Sequence, residues 1–148
     1  IRIKILDKTV TDEECIRTGE LLHANGVELL TQNMFGVPGE TIETVLSTID
    51  LNIRCKADLM VIHFFQPYPG TDLARISTEM GLWEGTVDDI PESNHWYVVL
   101  NLKDKELMTL LGHLSYFMLD YPKVFNFLKP WIENKATRKM ALPLLKLF

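Results

Sequence analysis

A stiff turn at residues 36–41, GVPGET, holds the residues best placed to bind a ligand through the backbone. Gly36 lets a ligand approach the main chain because it has no Cβ, Pro38 fixes one torsion of the bend, and Gly39 frees the next. The helix that follows offers unpaired N–H groups and a partial positive charge at its first turn. Glu40 either complements that helix dipole or reaches an amine or hydroxyl group of a ligand. The sequence leaves both interpretations open.

A second turn, QPYPGT at residues 66–71, follows the next apolar run. Two prolines stiffen it, and its Pro-Gly pair suits a type II turn that leads into a helix cap at Thr71. Phe65, Gln66 and Tyr68 are then suited to line a flat, partly apolar pocket for a purine. The alternative is a rigid turn whose aromatic side chains belong to the core.

The other polar residues form no recognisable catalytic motif. The sequence has no Walker-type loop, and no Ser-His-Asp or paired-carboxylate arrangement can be assembled from it. His63 lies inside an apolar run, where a packed or lumen-facing ring is commoner than a catalyst. Cys15 and Cys55 stand forty positions apart without the spacing of a zinc site or a disulfide framework. This usage favours reduced thiols in a cytoplasmic protein.

The elements around the two turns read as a parallel βαβ unit. A capping box at Thr11 and an Asn25-Gly26 stop bound a first helix, and residues 27–37 form a buried strand. Apolar residues then recur at helical spacing from 42 to 53, and residues 58–65 form a second strand rich in branched and aromatic side chains. Two strands joined by one helix run parallel, and ligands gather at the carboxyl ends of such strands. Both turns lie at those ends.

The second half of the chain predicts a loop and several helices. Thr71 caps a short helix that ends near Gly81, and residues 82–96 read as a polar surface loop. Asn101 with Asp104 is expected to open another helix. Three prolines, Pro122, Pro130 and Pro143, are expected to break the remainder into short helical pieces.

Charge is divided unevenly between the body and the tail. Residues 1–120 carry 9 Lys and Arg against 19 Asp and Glu, whereas residues 121–148 carry 6 against 1. The acidic body argues against extended contact with nucleic acid, and no apolar run is long enough for a membrane span. The basic, aromatic tail is expected to pack its Phe, Trp and Leu side chains as a helical cap and leave its lysines in water. A lipid-facing amphipathic segment is the alternative.

The two turns together resemble the second half of the barrel of radical S-adenosylmethionine (SAM) enzymes. That family often carries G-x-P-G-E-T after its fifth strand and P-Y/R-P-G-T after its sixth, and this chain reads FGVPGET and PYPGT at the matching places. The preceding segment LLHANGVELLTQNMFG also looks like the family's fourth helix and fifth strand. The resemblance covers residues 2–81 and is closest to the branch that often carries a cobalamin-binding domain before the barrel.

The resemblance implies a set of contacts to S-adenosylmethionine. The strand-five turn would contact the adenosyl portion, largely through backbone, and the end of strand six would pack on the adenine. Gly39 stands where the family usually has a glutamate, and Glu40 follows one position later. The implied cofactor-binding residues are Asn33, Phe35, Gly36, Val37, Pro38, Gly39, Glu40, Phe65, Gln66 and Tyr68.

The resemblance also predicts an α/β fold that is only part of an enzyme. Residues 1–81 would be a partial (β/α) barrel-type unit, and residues 82–148 a loop plus a helical carboxyl-terminal extension. By this alignment Ile1 follows strand four, so IRIKILDK would be a loop-to-helix segment. The family's C-x3-C-x2-C motif, which holds a 4Fe–4S cluster, has no match here.

We therefore expect a fragment that is inert alone and completes its site within a longer parent enzyme. The parent would use S-adenosylmethionine and a 4Fe–4S cluster, with cobalamin as a further candidate cofactor. It would cleave S-adenosylmethionine reductively to a 5′-deoxyadenosyl radical and act on an unidentified small-molecule substrate. Unpaired strand edges in such a fragment predict a second copy that covers them. The alternative function is a non-catalytic interaction module with barrel-like turns.

Overall fold

The computed structural model describes residues 9–145, apart from the side chains of 139–142 and 144. The predicted loop-to-helix segment IRIKILDK, residues 1–8, lies outside the described residues. The elements in chain order are α1 (Asp12–Ala24), β1 (Leu30–Phe35), α2 (Ile42–Arg54), β2 (Leu59–Phe64), α3 (Asp72–Glu79), a 3₁₀ turn (Val87–Asp89), α4 (Lys105–Asp120), α5 (Pro122–Glu133) and α6 (Lys135–Leu145). The α/β fold class is confirmed.

Side-chain caps fix where the first three helices begin, and those at Thr11 and Thr71 are the ones that the sequence predicts. Thr11 Oγ1 accepts a hydrogen bond from Glu14 N at 3.2 Å, and Glu14 Oε2 accepts one from Thr11 N at 2.8 Å, which completes the predicted capping box. Thr41 caps α2 in the same way. Thr71 Oγ1 accepts from Ala74 N at 3.3 Å at the start of α3. These caps place the start of a helix directly after each turn.

The two strands pair in parallel with the crossover helix α2 between them. The register runs from Leu30 opposite Leu59 to Phe35 opposite Phe64. This pairing confirms the predicted βαβ unit, with strands shorter than the sequence pattern suggested. Two strands are the whole sheet within the described residues, so closure into a barrel stays a prediction.

One face of the sheet packs against helices, and the described residues leave the other face exposed or half-buried. Thr31, Asn33 and Phe35 of β1 lie on the same face as Ile62 and Phe64 of β2, against α2 and α4. A Cβ on Gly112 of α4 would lie 2.6 Å from the Phe64 ring, so this helix approaches the sheet closely. The opposite surface, here called the helix-free face, is formed by Leu30, Gln32, Met34, Leu59, Val61 and His63.

The carboxyl-terminal helices belong to the same core as the sheet. Phe125 and Ile132 of α5 and Leu145 of α6 are at most 2% exposed and lie in one cluster with the strand residues. The predicted helical cap is therefore confirmed for these side chains. It is wrong for Phe127 and Trp131, which remain 69% and 48% exposed. No helix within residues 9–145 has the length and hydropathy needed to cross a membrane.

Two local predictions for this half are wrong. Helix α4 begins at Lys105 without a side-chain capping hydrogen bond. Asp104 adopts a left-handed φ of +62°, and its carboxylate accepts a hydrogen bond from Arg138 instead. Pro130 and Pro143 lie inside α5 and α6 instead of ending them. Pro130 falls in the last turn of α5, where its missing N–H removes only one intrahelical bond.

Arg138 joins α6 to the rest of the molecule. Its guanidinium donates to Asp104 Oδ2 at 3.0 Å and to Glu43 Oε1 on α2 at 2.5 Å, while its Nε donates to Ile132 O at 2.7 Å. The hydrogen bond from Arg138 is the main cause that lowers the pKa of Glu43 to about 2. The tail is thus fixed to α2, the helix that links the two strands.

Candidate functional site

Parallel pairing brings the two predicted turns together at one edge of the sheet. Phe35 and Phe64, the last residues of the strands, are register partners, and Phe65 N donates to Phe35 O at 2.8 Å. The GVPGET turn follows one strand and the QPYPGT turn follows the other. The geometric prediction that both turns share the carboxyl edge of the βαβ unit is confirmed.

The first turn closes on its own glutamate. Gly36 and Gly39 have φ of +80° and +77°, the left-handed region that glycine adopts most readily. Glu40 N donates to Val37 O at 3.0 Å, and the Glu40 carboxylate accepts from Gly36 N at 2.5 Å. Glu40 is 7% exposed. Its carboxylate therefore holds the turn together from inside.

This burial also changes the acidity of Glu40. Removal from water raises the pKa of Glu40 to about 7. Hydrogen bonds from the N–H groups of Gly36 and Val37 lower this pKa, but their effect is smaller than that of burial. A carboxyl group with that pKa exchanges a proton near neutral pH. The turn thus contains a titratable group whose charge depends on how tightly the surrounding segments enclose it.

Val98 covers the first turn from outside. A Cβ on Gly36 would lie 2.9 Å from Val98 Cγ1, closer than such atoms normally approach. Val98 is 3% exposed, and Phe35 and Val37 are fully buried. Gly36 is therefore required both by its φ and by the space that Val98 occupies. Pro38 is buried as well, whereas Gly39 is exposed.

The second turn is anchored through Gln66. Its Nε2 donates to Pro91 O at 2.9 Å, and its Oε1 accepts a hydrogen bond from the hydroxyl group of Tyr68. Gln66 and Phe65 are 6% and 5% exposed, whereas Tyr68 is 54% exposed. The hydroxyl of Tyr68 is thus fixed while much of the side chain stays open to a ligand.

Residues 91–98, here called the covering segment, lie along the outer edge of β2. Phe64 N donates to Asn94 O at 2.5 Å, and Nδ1 of His95 lies 2.8 Å from Ile62 O. The His95 ring also packs against the His63 ring in a tilted arrangement, with centroids 4.7 Å apart. Part of the strand edge that was predicted to need a second copy is therefore covered by the chain itself.

Asn33 is held on the helix-packed face, away from the helix-free face. Asn52 of α2 donates from Nδ2 to Asn33 Oδ1 at 3.0 Å, and Asn33 Nδ2 donates to Thr31 Oγ1 at 3.2 Å. Asn52 is 4% exposed and also donates to Thr48 O at 2.8 Å. This network fixes β1 to the crossover helix and leaves the Asn33 amide little freedom to meet a ligand.

An open groove of about 460 Å³ lies beside the second turn. Pro67, Pro69, Thr71 and Trp83 contribute to its walls together with Arg75 of α3. The Arg75 guanidinium is already paired, at 3.2 Å with Asp72 and at 2.8 Å with Glu79. The groove therefore offers prolines and an indole ring for contact, and the charge of Arg75 is largely neutralised.

Sequence reasoning did not find the covering segment. Its contacts to β2 and to both turns are made by residues far away in the chain, and its polar part shows no periodic pattern. A weaker signal begins at its last residue, since apolar Val98, Leu100 and Leu102 recur at every second position, and all three are buried in the structure. Such alternation is typical of an extended segment with one packed face.

The site thus divides into an enclosed part and an accessible part. Of the ten predicted cofactor-binding residues, Gly39 and Tyr68 are exposed, Asn33 is half-buried and the other seven are buried. The described residues hold no group of three His, Cys, Asp or Glu side chains able to bind a metal ion. Comparisons with protein-family models, curated proteins and solved structures find no match for the chain. Function is therefore inferred from the residues themselves.

Proposed function

We propose that this chain is the carboxyl-terminal part of a radical SAM enzyme barrel and contributes part of its S-adenosylmethionine and substrate pocket. One observation carries the proposal. The parallel βαβ unit brings the FGVPGET and PYPGT turns side by side at the carboxyl edge of the sheet. Ligands of parallel α/β proteins bind at that edge, and both turns are of the kind that the resemblance assigns to the cofactor.

The helix-free face supports assembly into a larger barrel. It exposes Leu30, Met34 and Leu59 at 52%, 44% and 41%. In a closed (β/α) barrel the side chains on this face point into the interior, where they pack in layers. Additional strands in the parent enzyme would remove these apolar groups from water. That gain favours completion of the barrel over an isolated pair of strands.

The residues present fit S-adenosylmethionine in part. Tyr68 offers an exposed ring fixed by Gln66, suited to stack on an adenine, and Gly39 offers accessible backbone. Gly36 and Val37 would contact the cofactor only if the covering segment shifted. In the parent enzyme, S-adenosylmethionine together with a reduced 4Fe–4S cluster would supply a carbon-centred radical. The described residues of this chain would orient the cofactor and exclude water.

The test uses the protein encoded by the full reading frame that contains this chain, purified without oxygen and supplied with iron and sulfide. S-adenosylmethionine binding is measured by equilibrium dialysis for the wild type, for Tyr68→Ala and for the control Tyr116→Ala on α4, whose tyrosine is 42% exposed. Loss of one base-stacking ring should weaken binding about tenfold in Tyr68→Ala only. Equal affinities for S-adenosylmethionine in all three proteins would show that Tyr68 does not contact the cofactor. Absence of binding to the wild type would overturn the proposal.

A non-catalytic interaction module is the second candidate function, and one observation favours it. Both turns are already closed by the chain itself, through Glu40 and Val98 at the first and through Gln66 at the second. In that case the turns have only a structural role, and the protein encoded by the full reading frame binds no S-adenosylmethionine. The same dialysis experiment therefore distinguishes the two candidates.

A further inference from the structure

The outward side of α5 combines large exposed aromatic groups with lysine. Phe127 and Trp131 lie four residues apart on one face, are 69% and 48% exposed, and have ring centroids 6.4 Å apart. Lys123 lies one turn before Phe127 on the same side and is exposed. The opposite side of the helix holds Phe125 and Ile132, which are buried in the core. The apolar groups on the outward side are therefore additional to those that the fold needs.

Positive charge is concentrated around this face in a chain that is otherwise acidic. Residues 121–138 carry four Lys and Arg against one Glu, whereas residues 9–120 carry 6 against 18 Asp and Glu. Two of the four cations are engaged internally, since Lys129 Nζ lies 3.6 Å from Asp50 and Arg138 is paired with Glu43 and Asp104. Lys123 in the first turn of α5 is exposed, and so is Lys135, which begins α6 two residues after α5 ends.

We propose that α5 binds the surface of an anionic phospholipid bilayer, with Phe127 and Trp131 at the boundary between headgroups and acyl chains and Lys123 and Lys135 among the headgroup phosphates. Aromatic residues on one face of a helix flanked by lysines are the pattern of helices that lie in this interface. Negative lipid charge complements the basic end of the chain. The charge of the acidic body is screened beyond about 8 Å at physiological salt.

The surface fits a lipid bilayer better than a second copy of the chain. Phe127 and Trp131 project from one helix, where they are 69% and 48% exposed. Projecting rings enter a fluid interface without a complementary pocket, whereas a protein partner would need one. The inference uses α5 alone and is independent of the function proposed for the two turns.

The test is co-sedimentation of the full chain with sucrose-loaded vesicles, made either of phosphatidylcholine with 30% phosphatidylserine or of phosphatidylcholine alone. Half of the wild-type protein should bind the anionic vesicles at accessible lipid on the order of 0.1–1 mM, and salt should weaken binding. The double variant Phe127→Ser/Trp131→Ser should bind at least about tenfold more weakly. Lys123→Gln should lose about fivefold, as expected for one lysine near the surface.

The matched control is Trp96→Ser/Tyr97→Ser, which removes two aromatic side chains of 51% and 47% exposure from the covering segment. It should bind as the wild type does, and circular dichroism should show that every variant is folded. Failure of the wild type to bind anionic vesicles, or equal binding to neutral ones, would overturn the proposal. Light scattering tests the alternative that this face binds a second copy. That alternative would be correct if the wild type binds no vesicles and is a dimer, and Phe127→Ser/Trp131→Ser is a monomer.

Discussion

Replacing Gly36 by alanine tests the closed form of the first turn most sharply. The residue has a φ of +80°, where an alanine costs about 1 kcal/mol more than a glycine. Its new Cβ would also lie 2.9 Å and 3.2 Å from the two γ carbons of Val98. Overpacking of this kind adds about 2 kcal/mol, since Val98 is buried and has little room to move. We expect Gly36→Ala to lower the free energy of unfolding by about 3 kcal/mol.

Gly39→Ala is the matched control because it isolates the backbone contribution. Its φ of +77° is nearly the same, but a Cβ there would meet nothing within 4 Å. Gly39→Ala should therefore cost only about 1 kcal/mol. Urea unfolding followed by circular dichroism measures both values, provided that the dependence on urea concentration is unchanged.

A double-mutant cycle with Val98→Ala identifies the neighbour responsible. Val98→Ala alone should cost about 2 kcal/mol as a cavity, whereas in the Gly36→Ala protein it should cost almost nothing because it relieves the overlap. The expected coupling is therefore about 2 kcal/mol. Two results would refute the placement of the covering segment on this turn. One is a loss in the free energy of unfolding that is no larger for Gly36→Ala than for Gly39→Ala. The other is additive losses for Gly36→Ala and Val98→Ala.

Three further predictions concern hydrogen-bonded polar side chains. The folded-state pKa of Glu40 is raised from 4.5 to about 7, so the fold loses stability as the pH rises from 4.5 to 7, by up to about 3 kcal/mol. Urea unfolding between pH 5 and 8 should show this slope in the wild type and not in Glu40→Gln. The pKa of Glu43 is lowered to about 2, so its contribution is present above pH 4.5 and lost as the pH falls toward 2. Because its side chain is 48% exposed, we expect about 1 kcal/mol, absent in Glu43→Gln and in Arg138→Met. Asn52→Leu should lower the free energy of unfolding by about 2 kcal/mol, because Asn33 loses its buried partner, whereas exposed Asn126→Leu on α5 should change it by less than about 0.5 kcal/mol.

The sequence predicted those parts of the fold that depend on short-range chemistry. The caps at Thr11 and Thr71 and the left-handed stop at Gly26 all involve atoms within a few residues of each other. The parallel pairing also followed, because a helix between two apolar runs leaves little choice of topology. The same reasoning correctly brought the two turns to one edge of the sheet.

The contacts that the sequence missed are distant along the chain. Arg138 meets Glu43 across 95 positions, and Gln66 meets Pro91 across 25. No local pattern marks these pairs. Asp104 illustrates the consequence, since it looks like a helix cap in the sequence but turns to Arg138 in the structure. The charge of a residue predicts that it needs a partner, but only the tertiary fold determines which one.

Glu40 shows why the site was harder to predict than the fold. A glutamate before a helix suggested either a helix-dipole contact or a ligand contact. The structure gives a third answer, because positive φ at Gly36 and Gly39 bends the turn until the carboxylate reaches Gly36 N. That geometry depends on several torsions acting together. Residue types alone do not determine it.

The sequence of the transcript upstream of the codon for Ile1 tests the central proposal most directly. If this chain completes a radical SAM barrel, the upstream reading frame encodes C-x3-C-x2-C, because the cluster that the proposed chemistry requires has no ligand set in the described residues. A transcript whose translation starts at or near Ile1, without those cysteines, would contradict the proposal. The turns at Gly36 and Gln66 would then be structural elements of an interaction module.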